Sequence, residues 1–300
     1  MPNWPKIEDI ISTATGQTFE LKHHSVVGGG DINQAFRLDG VLNSEPSRFF
    51  IKVNNKNRLN MFTAEAAGLK ELQKANSIRV PGVIATGLDE TNSFLILEYL
   101  SFSAAQASNN SAMIFGEQLA KMHQRTQPKF GWEQANTIGS TKQINTPTEH
   151  WVDFWREHRL AVQCELAKQN GASTTLLNKA DKLMQNLQAL FVGYAPIASL
   201  LHGDLWSGNY RYAALDGAPI LFDPAVYYGD RETDIAMTEL FGGFSDEFYA
   251  SYQQTWPLHE GYAQRKTLYN LYHVLNHFNL FQGGYAAQAE NMIDKLLHYI

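Results

Sequence analysis

One short stretch of this sequence has residue types and spacing that already describe a reaction. In His202-Gly203-Asp204-Leu205-Trp206-Ser207-Gly208-Asn209 a carboxylate and a carboxamide stand five residues apart, directly after the apolar run Ile197–Leu201. An Asp so placed can accept the proton of an attacking hydroxyl, while the Asn holds a divalent cation beside it. Gly203 and Gly208 allow a turn tight enough to aim both side chains at one place. The plain alternative is a polar loop whose Asp and Asn cap local backbone groups.

A second carboxylate follows. Asp223 ends the apolar run Ile220–Phe222, 14 residues after Asn209 and within reach of a hairpin. It is a candidate to ligate the same cation, which phosphoryl transfer needs because charge develops on the β/γ oxygens of a triphosphate. Lys52 stands alone among apolar neighbours in Phe49-Phe50-Ile51-Lys52-Val53. A buried ammonium is costly without an anion, and Glu65, 13 residues on in a helical pattern, is the candidate partner. A strand Lys steadied by a helix Glu suits the α/β phosphates of a nucleotide. Upstream, Gly28-Gly29-Gly30-Asp31-Ile32-Asn33 lacks the Lys-Ser/Thr of a Walker loop and opens no helix. It reads as a hairpin turn whose backbone N–H groups face phosphate.

These residues need elements to carry them. Thr18–Val27, Phe36–Leu38, Phe49–Val53 and Phe94–Leu100 read as strands, with a turn-rich stretch at Asp39–Ser47 and a helix over Met61–Leu72. A small α+β domain ending near Glu98–Ser103 accounts for them. Beyond Asn109 the pattern turns helical: Ile114–His123, Glu149–Lys168, Thr174–Phe191 and most of the chain after Asp223. Gly131–Thr148 is polar and turn-rich, an ordered insert or loop. Tyr210–Ala213 and Ile220–Phe222 pair as a short hairpin.

Composition removes other classes. With 24 basic against 30 acidic residues the net charge is -6, which argues against a general nucleic-acid partner. One cysteine, Cys164, excludes an internal disulfide and a Cys-rich zinc site. The chain start lacks the basic flank and apolar stretch of a signal peptide, and about 18 uninterrupted apolar residues occur nowhere, so a cytoplasmic protein without a membrane span is expected.

The strings HGDLWSGN, GGGDIN, FFIKV, FDPAVYYGDRETDIAM, FGWEQANTIGSTKQ and LYHVLNHFNLFQGGYAAQA together resemble the fructosamine kinase, or ketosamine kinase, family. HGD followed by Asn is common to the wider aminoglycoside- and choline-kinase group. Trp206-Ser207-Gly208 and Asp223-Pro224-Ala225 point to the narrower family. The resemblance implies a two-lobed, protein-kinase-like α+β fold. Residues 1–100 would form a nucleotide-binding lobe, with an antiparallel sheet and one main helix. Residues 101–300 would form a mostly helical catalytic and substrate-binding lobe.

It further implies ATP and Mg²⁺ as cofactors, Asp204 as catalytic base, and Asn209 and Asp223 as metal ligands. Gly28, Gly29, Gly30, Lys52 and Glu65 would lie at the phosphates, and Glu98, Tyr99 and Leu100 would be the hinge at adenine. Trp206 and Asp234 are candidate substrate residues, Asp234 alternatively bracing the catalytic loop. Of the other acidic residues there, Glu232 reads as a helix N-terminal carboxylate. His273 and His277 read as one polar helix face, and His23 and His24 as surface. Some members carry a Cys in the glycine loop that pairs between subunits; here that position is Asp31, so redox control by that route is not expected.

The expected reaction is phosphorylation of a sugar hydroxyl on a small ketosamine or a glycated protein lysine, a step in protein deglycation. The competing expectations are an aminoglycoside- or choline-type phosphotransferase and a silent nucleotide-binding module.

Overall fold

The computed structural model describes residues 2–28, 32–103, 108–242 and 244–300. The chain divides into two compact units, Met1–Gln106 with Arg211–Phe222, and Ala107–Tyr210 with Asp223–Ile300.

The first unit opens with α1 (Trp4–Thr15), started by Asn3, whose side chain accepts from Lys6 N–H, and ended by Gly16 at φ 69°. Then follow β1 (Phe19–Val27), β2 (Gln34–Leu42), β3 (Glu45–Asn55), α2 (Leu59–Ala75), β4 (Val83–Leu88) and β5 (Asn92–Glu98). The strands form one antiparallel sheet in the order β1-β2-β3-β5-β4. The stretch Asp39–Ser47, expected to be turn-rich, is mostly strand. Leu42 pairs with Glu45, and Asn43 and Ser44 both take positive φ (46° and 71°), so the turn is only two residues long. That tight form suits the right-handed twist of its strands. Neither α1 nor β4 was expected from the sequence.

Alternation along β3 decides where Lys52 points. Phe49, Ile51 and Val53 join Ile7 and Ile11 of α1 in one buried cluster. Lys52 lies on the other face, where its Nζ meets Glu65 of α2 at 2.6 Å.

The second unit begins with α3 (Asn109–His123), capped by Ser108 accepting from Ser111 N–H. The insert contains a hairpin of β6 (Asn136–Ile138) and β7 (Thr141–Gln143). A helix follows as α4 (Trp151–Trp155), a wider π-turn over Arg156–Leu160, and α5 (Ala161–Gln169), succeeded by α6 (Thr174–Gln185) and β8 (Ser199–Leu201). Next, β9 (Tyr210–Tyr212) and β10 (Pro219–Leu221) pair as the expected hairpin. Residues 211–222 belong to the first unit, where Leu221 N–H donates to Arg79 O and Ala214 N–H to Ser101 O. The chain re-enters the second unit through β11 (Tyr227–Gly229), antiparallel to β8. It ends in α7 (Glu232–Leu240), α8 (Asp246–Thr255), α9 (Tyr262–Phe281) and α10 (Tyr285–Leu297). No helix among the described residues is long and apolar enough to cross a membrane.

The approach of α3 to α8 depends on Gly116. A Cβ built there would lie 2.2 Å from the carbonyl oxygen of Phe248 and 2.9 Å from Tyr252 N, both backbone atoms that have no rotamer to escape into. Gly116→Ala therefore forces the two helices apart and should lower the melting temperature by about 5–10 °C. A thermal melt matching the wild type would show that the contact is not tight.

Candidate active site

The loop after β8 is shaped by close backbone contacts. Gly203 takes φ +83°, and a Cβ there would lie 2.1 Å from Ala225 O. The adjacent Ala225 N–H donates to His202 O at 2.8 Å, tying this loop to the segment that follows Asp223. Gly208 serves differently from the turn residue expected: its φ is not positive, and a side chain would strike the indole of Trp206, 2.2 Å from its Cβ position. Trp206, 39% exposed, therefore lies over the bare backbone of Gly208.

Asp204 and Asn209 meet inside this loop. Asn209 Nδ2 donates to the Asp204 carbonyl at 2.9 Å and to its Oδ2 at 3.1 Å. The Asp204 carboxyl is pushed up to about 7, first by burial and then by the negative charge of Asp223, with the Asn209 hydrogen bond opposing. Asp223 is exposed and holds φ +57°, a left-handed backbone that Asp tolerates better than most residues. The two carboxylates expected to act together are thus electrostatic neighbours.

Asp234 lies beneath the loop, 1% exposed, near the start of α7. Its Oδ2 accepts from His202 N–H at 2.7 Å and its Oδ1 from Gly203 N–H at 2.9 Å. This is the bracing arrangement; the carboxylate faces loop backbone rather than an open surface. A third contact comes from His123 Nε2, 3.2 Å away, whose Nδ1 lies 2.8 Å from Tyr252 Oη. Arg231 Nη1 donates to that hydroxyl at 3.0 Å. The Asp234 carboxylate can only accept, so His123 gives Nε2–H to it, and the neutral ring's Nδ1 accepts the tyrosine's proton. Burial holds His123 below its ordinary value despite the carboxylate, so it is neutral. Burial alone would raise Asp234, but the His123 hydrogen bond and nearby donors outweigh it and keep the group ionised.

His123, Tyr252 and Arg231 were not singled out from the sequence; a His closing an apolar helix was the only signal. Glu232 is also more than a helix-terminal charge. It is fully buried and paired to Arg265 through two bonds of 2.7 and 2.9 Å. His273 is buried and pushed down to about 3 by that burial, whereas His24 stacks on Trp4 with ring centroids 4.3 Å apart.

The nucleotide candidates lie in the first unit. Lys52 is 6% exposed and paired with Glu65 as the spacing suggested. Gly28 has open space where a Cβ would be, while Gly29, Gly30 and Asp31 lie outside the described residues. Beyond them, Asn54 Nδ2 of β3 donates to Ile32 O and Asn33 Oδ1, anchoring the loop's far side. The Glu98 side chain accepts from Arg79 and from Gly82 N–H, and its backbone N–H donates to Gly82 O at 2.7 Å, so both its carboxylate and its backbone donor are already engaged. A cavity of about 350 Å³ is lined by Arg79, Tyr99, Leu100, Ser101, Ala213 and Leu215.

The fructosamine kinase family model matches residues 3–299. The chain belongs to the fructosamine kinase family. It is an ATP-dependent kinase by that membership. A probable ketoamine kinase from Synechocystis sp. is 43% identical, over 98% of this chain and 97% of its own length. The chloroplastic protein-ribulosamine 3-kinase of Arabidopsis thaliana is 38% identical, over 95% and 86%. Among solved structures, a putative fructosamine-3-kinase from Haemophilus somnus superposes with a TM-score of 0.87 at 31% identity, covering 98% of both chains. A thermostable mutant of the aminoglycoside phosphotransferase APH(4)-Ia, at 15% identity, TM-score 0.62 and 98% coverage of both chains, shares the fold. For this member of the fructosamine kinase family the fold class is therefore the kinase-like α+β arrangement expected.

The raised Asp204 carboxyl carries a stability consequence. The fold binds this proton more tightly than the unfolded chain, so the contribution is present at acid pH and is lost as pH rises from about 4 through 7. At about pH 8 the ionised group costs on the order of 2 kcal/mol, after discounting for its solvent access. Asp204→Asn should therefore melt several degrees higher than the wild type at about pH 8, with the gap closing near pH 4. Melts of the nucleotide-free chain across that range decide it, and equal curves at pH 8 would refute the assigned burial and repulsion.

Proposed function

We propose that this chain transfers the γ-phosphoryl group of ATP to a sugar hydroxyl of a ketosamine, free or carried on a protein lysine. One observation carries the reading: Asp204 shares its loop with Asn209, feels the charge of Asp223, and follows the His202 and Gly203 amides that a buried, ionised Asp234 holds, in a chain whose relatives are named for ketoamine and ribulosamine phosphorylation.

Asp204 orients the attacking hydroxyl and accepts its proton, with Asp234 fixing the peptide units on which it stands. Lys52, steadied by Glu65, holds the α/β phosphates, and the backbone at Gly28–Gly30 covers them. The cavity at Tyr99 and Leu100 takes the adenine through the Glu98–Leu100 backbone. Trp206, exposed two residues from Asp204, offers a flat apolar face to a sugar ring. On this reading residues 1–100 form the nucleotide lobe and the helical remainder the catalytic one.

The oxygen-rich surroundings fit a hard divalent cation. Asp223 is exposed, its charge repels that of Asp204, and the Asn209 amide presents its Oδ1 as acceptor because its Nδ2 is committed to Asp204. Asn209 and Asp223 would hold Mg²⁺, which when bound draws charge from the phosphate oxygens. The reading includes the cytoplasm as compartment, in keeping with a single cysteine, Cys164, whose buried thiol is pushed up to about 12.

Asp204→Ala should lower kcat by about a thousandfold while nucleotide affinity changes little. The assay is ADP release with a fructosyl-amine, a ribulosyl-amine, an aminoglycoside and choline, alongside calorimetric ATP binding. Wild-type turnover only with the aminoglycoside or choline would replace the ketosamine assignment. Undiminished turnover in Asp204→Ala would remove its role as base.

A further inference from the structure

The insert of residues 131–148 carries more buried polarity than any polar surface loop needs. Asn136, Gln143 and Asn145 are 7%, 1% and 1% exposed, and their amides form one connected set. Gln143 Nε2 donates to Asn136 Oδ1 at 2.8 Å and to Ala225 O at 3.1 Å. Asn136 Nδ2 donates to Val226 O at 2.7 Å. Asn145 Nδ2 also reaches Asn136 Oδ1, at 3.1 Å, and Tyr272 Oη donates to Gln143 Oε1 at 2.8 Å. Behind them Arg159, fully buried on the π-turn, donates to Asn145 Oδ1 at 2.8 Å and Ile144 O at 2.6 Å. Among the described residues Arg159 has no carboxylate partner, and it lies against the rings of Phe154 and Tyr227.

The two carbonyls captured this way belong to the residues directly after Asp223-Pro224. On the other side of the same segment, Ala225 N–H is bonded to His202 O. Farther on, Tyr228 exchanges two backbone hydrogen bonds with Gly131 at the start of the insert. The stretch that follows the left-handed Asp223 is therefore gripped from both sides, by the catalytic loop and by the insert. A backbone at φ +57° persists only where its surroundings over-determine it.

We propose that Asn136 and Gln143 are positioning residues for Asp223: their amides clamp the Ala225 and Val226 carbonyls and thereby hold the Asp223 turn in its left-handed form. The inference rests on Asp223 serving as a metal ligand only for its functional consequence; the clamp itself is testable without metal. The insert then supplies a working part of the site rather than a surface elaboration.

The test compares Gln143→Leu, which keeps the volume and loses all three hydrogen bonds of the amide, with Tyr272→Phe, which loses the hydroxyl that donates to Gln143. In the nucleotide-free chain, amide hydrogen exchange of the 223–229 peptide should accelerate about tenfold in Gln143→Leu and about threefold in Tyr272→Phe, while the 285–297 peptide is unchanged. Mn²⁺ binding to the enzyme–ADP complex, followed by electron paramagnetic resonance, should weaken by similar factors. Asp223→Ala is the reference arm. If it weakens Mn²⁺ binding while both clamp variants bind as the wild type, the inference is wrong and the Asp223 assignment stands. If Asp223→Ala itself binds Mn²⁺ normally, the metal role of Asp223 falls and the exchange data alone judge the clamp. Equal acceleration of both peptides would mean general loosening and would overturn the proposal. Should Gln143→Leu fail to fold, Tyr272→Phe carries the same comparison.

Discussion

The second unit depends on a single buried carboxylate. Two consecutive backbone N–H groups, of His202 and Gly203, point inward from a loop that has no helix or sheet to receive them, and unpaired they would carry a desolvation cost of about 1–3 kcal/mol each. Asp234 gives one oxygen to each. A carboxylate suits this place better than a carboxamide, because both of its oxygens accept and an amide would turn a donor toward one of the N–H groups. The requirement then propagates outward. An ionised group 1% exposed needs more than two amide donors, and neutral His123 supplies the third. His123 keeps the tautomer that Asp234 needs with Tyr252 donating to its other nitrogen, while the tyrosine oxygen accepts from Arg231. Three helices, α3, α7 and α8, are thereby tied to one peptide turn, and Gly116 lets two of them come close enough.

The same neighbourhood treats three carboxylates in three ways. Asp234 is ionised because donors converge on it. Asp204, in the loop that Asp234 holds, is pushed up to about 7 because burial and Asp223 outweigh its hydrogen bond from Asn209. Asp223 faces solvent. On the proposed role of Asp204 as base, the group must take up a proton during the reaction and still be ionised beforehand, so a value near the working pH is useful where a lower one would not be. Bound cationic charge would bring it back down. The environment, not the residue type, sets the role.

What the sequence disclosed follows the range of the interactions involved. Asp204 and Asn209 were legible because their partnership spans five residues of one loop, and Lys52 with Glu65 because an isolated Lys in an apolar strand demands an anion nearby in the chain. Strand alternation and helical spacing likewise gave the sheet-rich first part and the helical remainder. The β2–β3 hairpin was misjudged because Asp39–Ser47 is rich in turn formers, of which only Asn43 and Ser44 turn. The chain of Arg231, Tyr252, His123 and Asp234 was hidden for a different reason. His123 lies 111 residues from Asp234 and 129 from Tyr252, and no local pattern marks such a partnership. Gly208 was recognised for the right place but the wrong cause, since an indole stacked on backbone cannot be inferred from a turn propensity.

The chemistry of the insert argues for why its interior is built of amides. An apolar hairpin core would pack as well, but would leave the Ala225 and Val226 carbonyls buried without donors. Lysine or arginine could supply donors, yet each would bring a positive charge toward the carboxylates of Asp204 and Asp223 and compete with any cation drawn there. Carboxamides donate without changing the net charge, so Asn136 and Gln143 can hold the backbone while leaving the negative potential intact. The one guanidinium in the network, Arg159, is set behind Asn145 and against aromatic faces, two amides removed from the carbonyls being held. From there it donates to Asn145 Oδ1 and so polarises the amides toward donation. A network of this kind is stable only when nearly every member is satisfied; here Arg159 Nε is the one side-chain polar atom of the set buried without a partner, and the rest are paired, which makes the arrangement unforgiving of substitution and gives it the rigidity that the left-handed Asp223 requires.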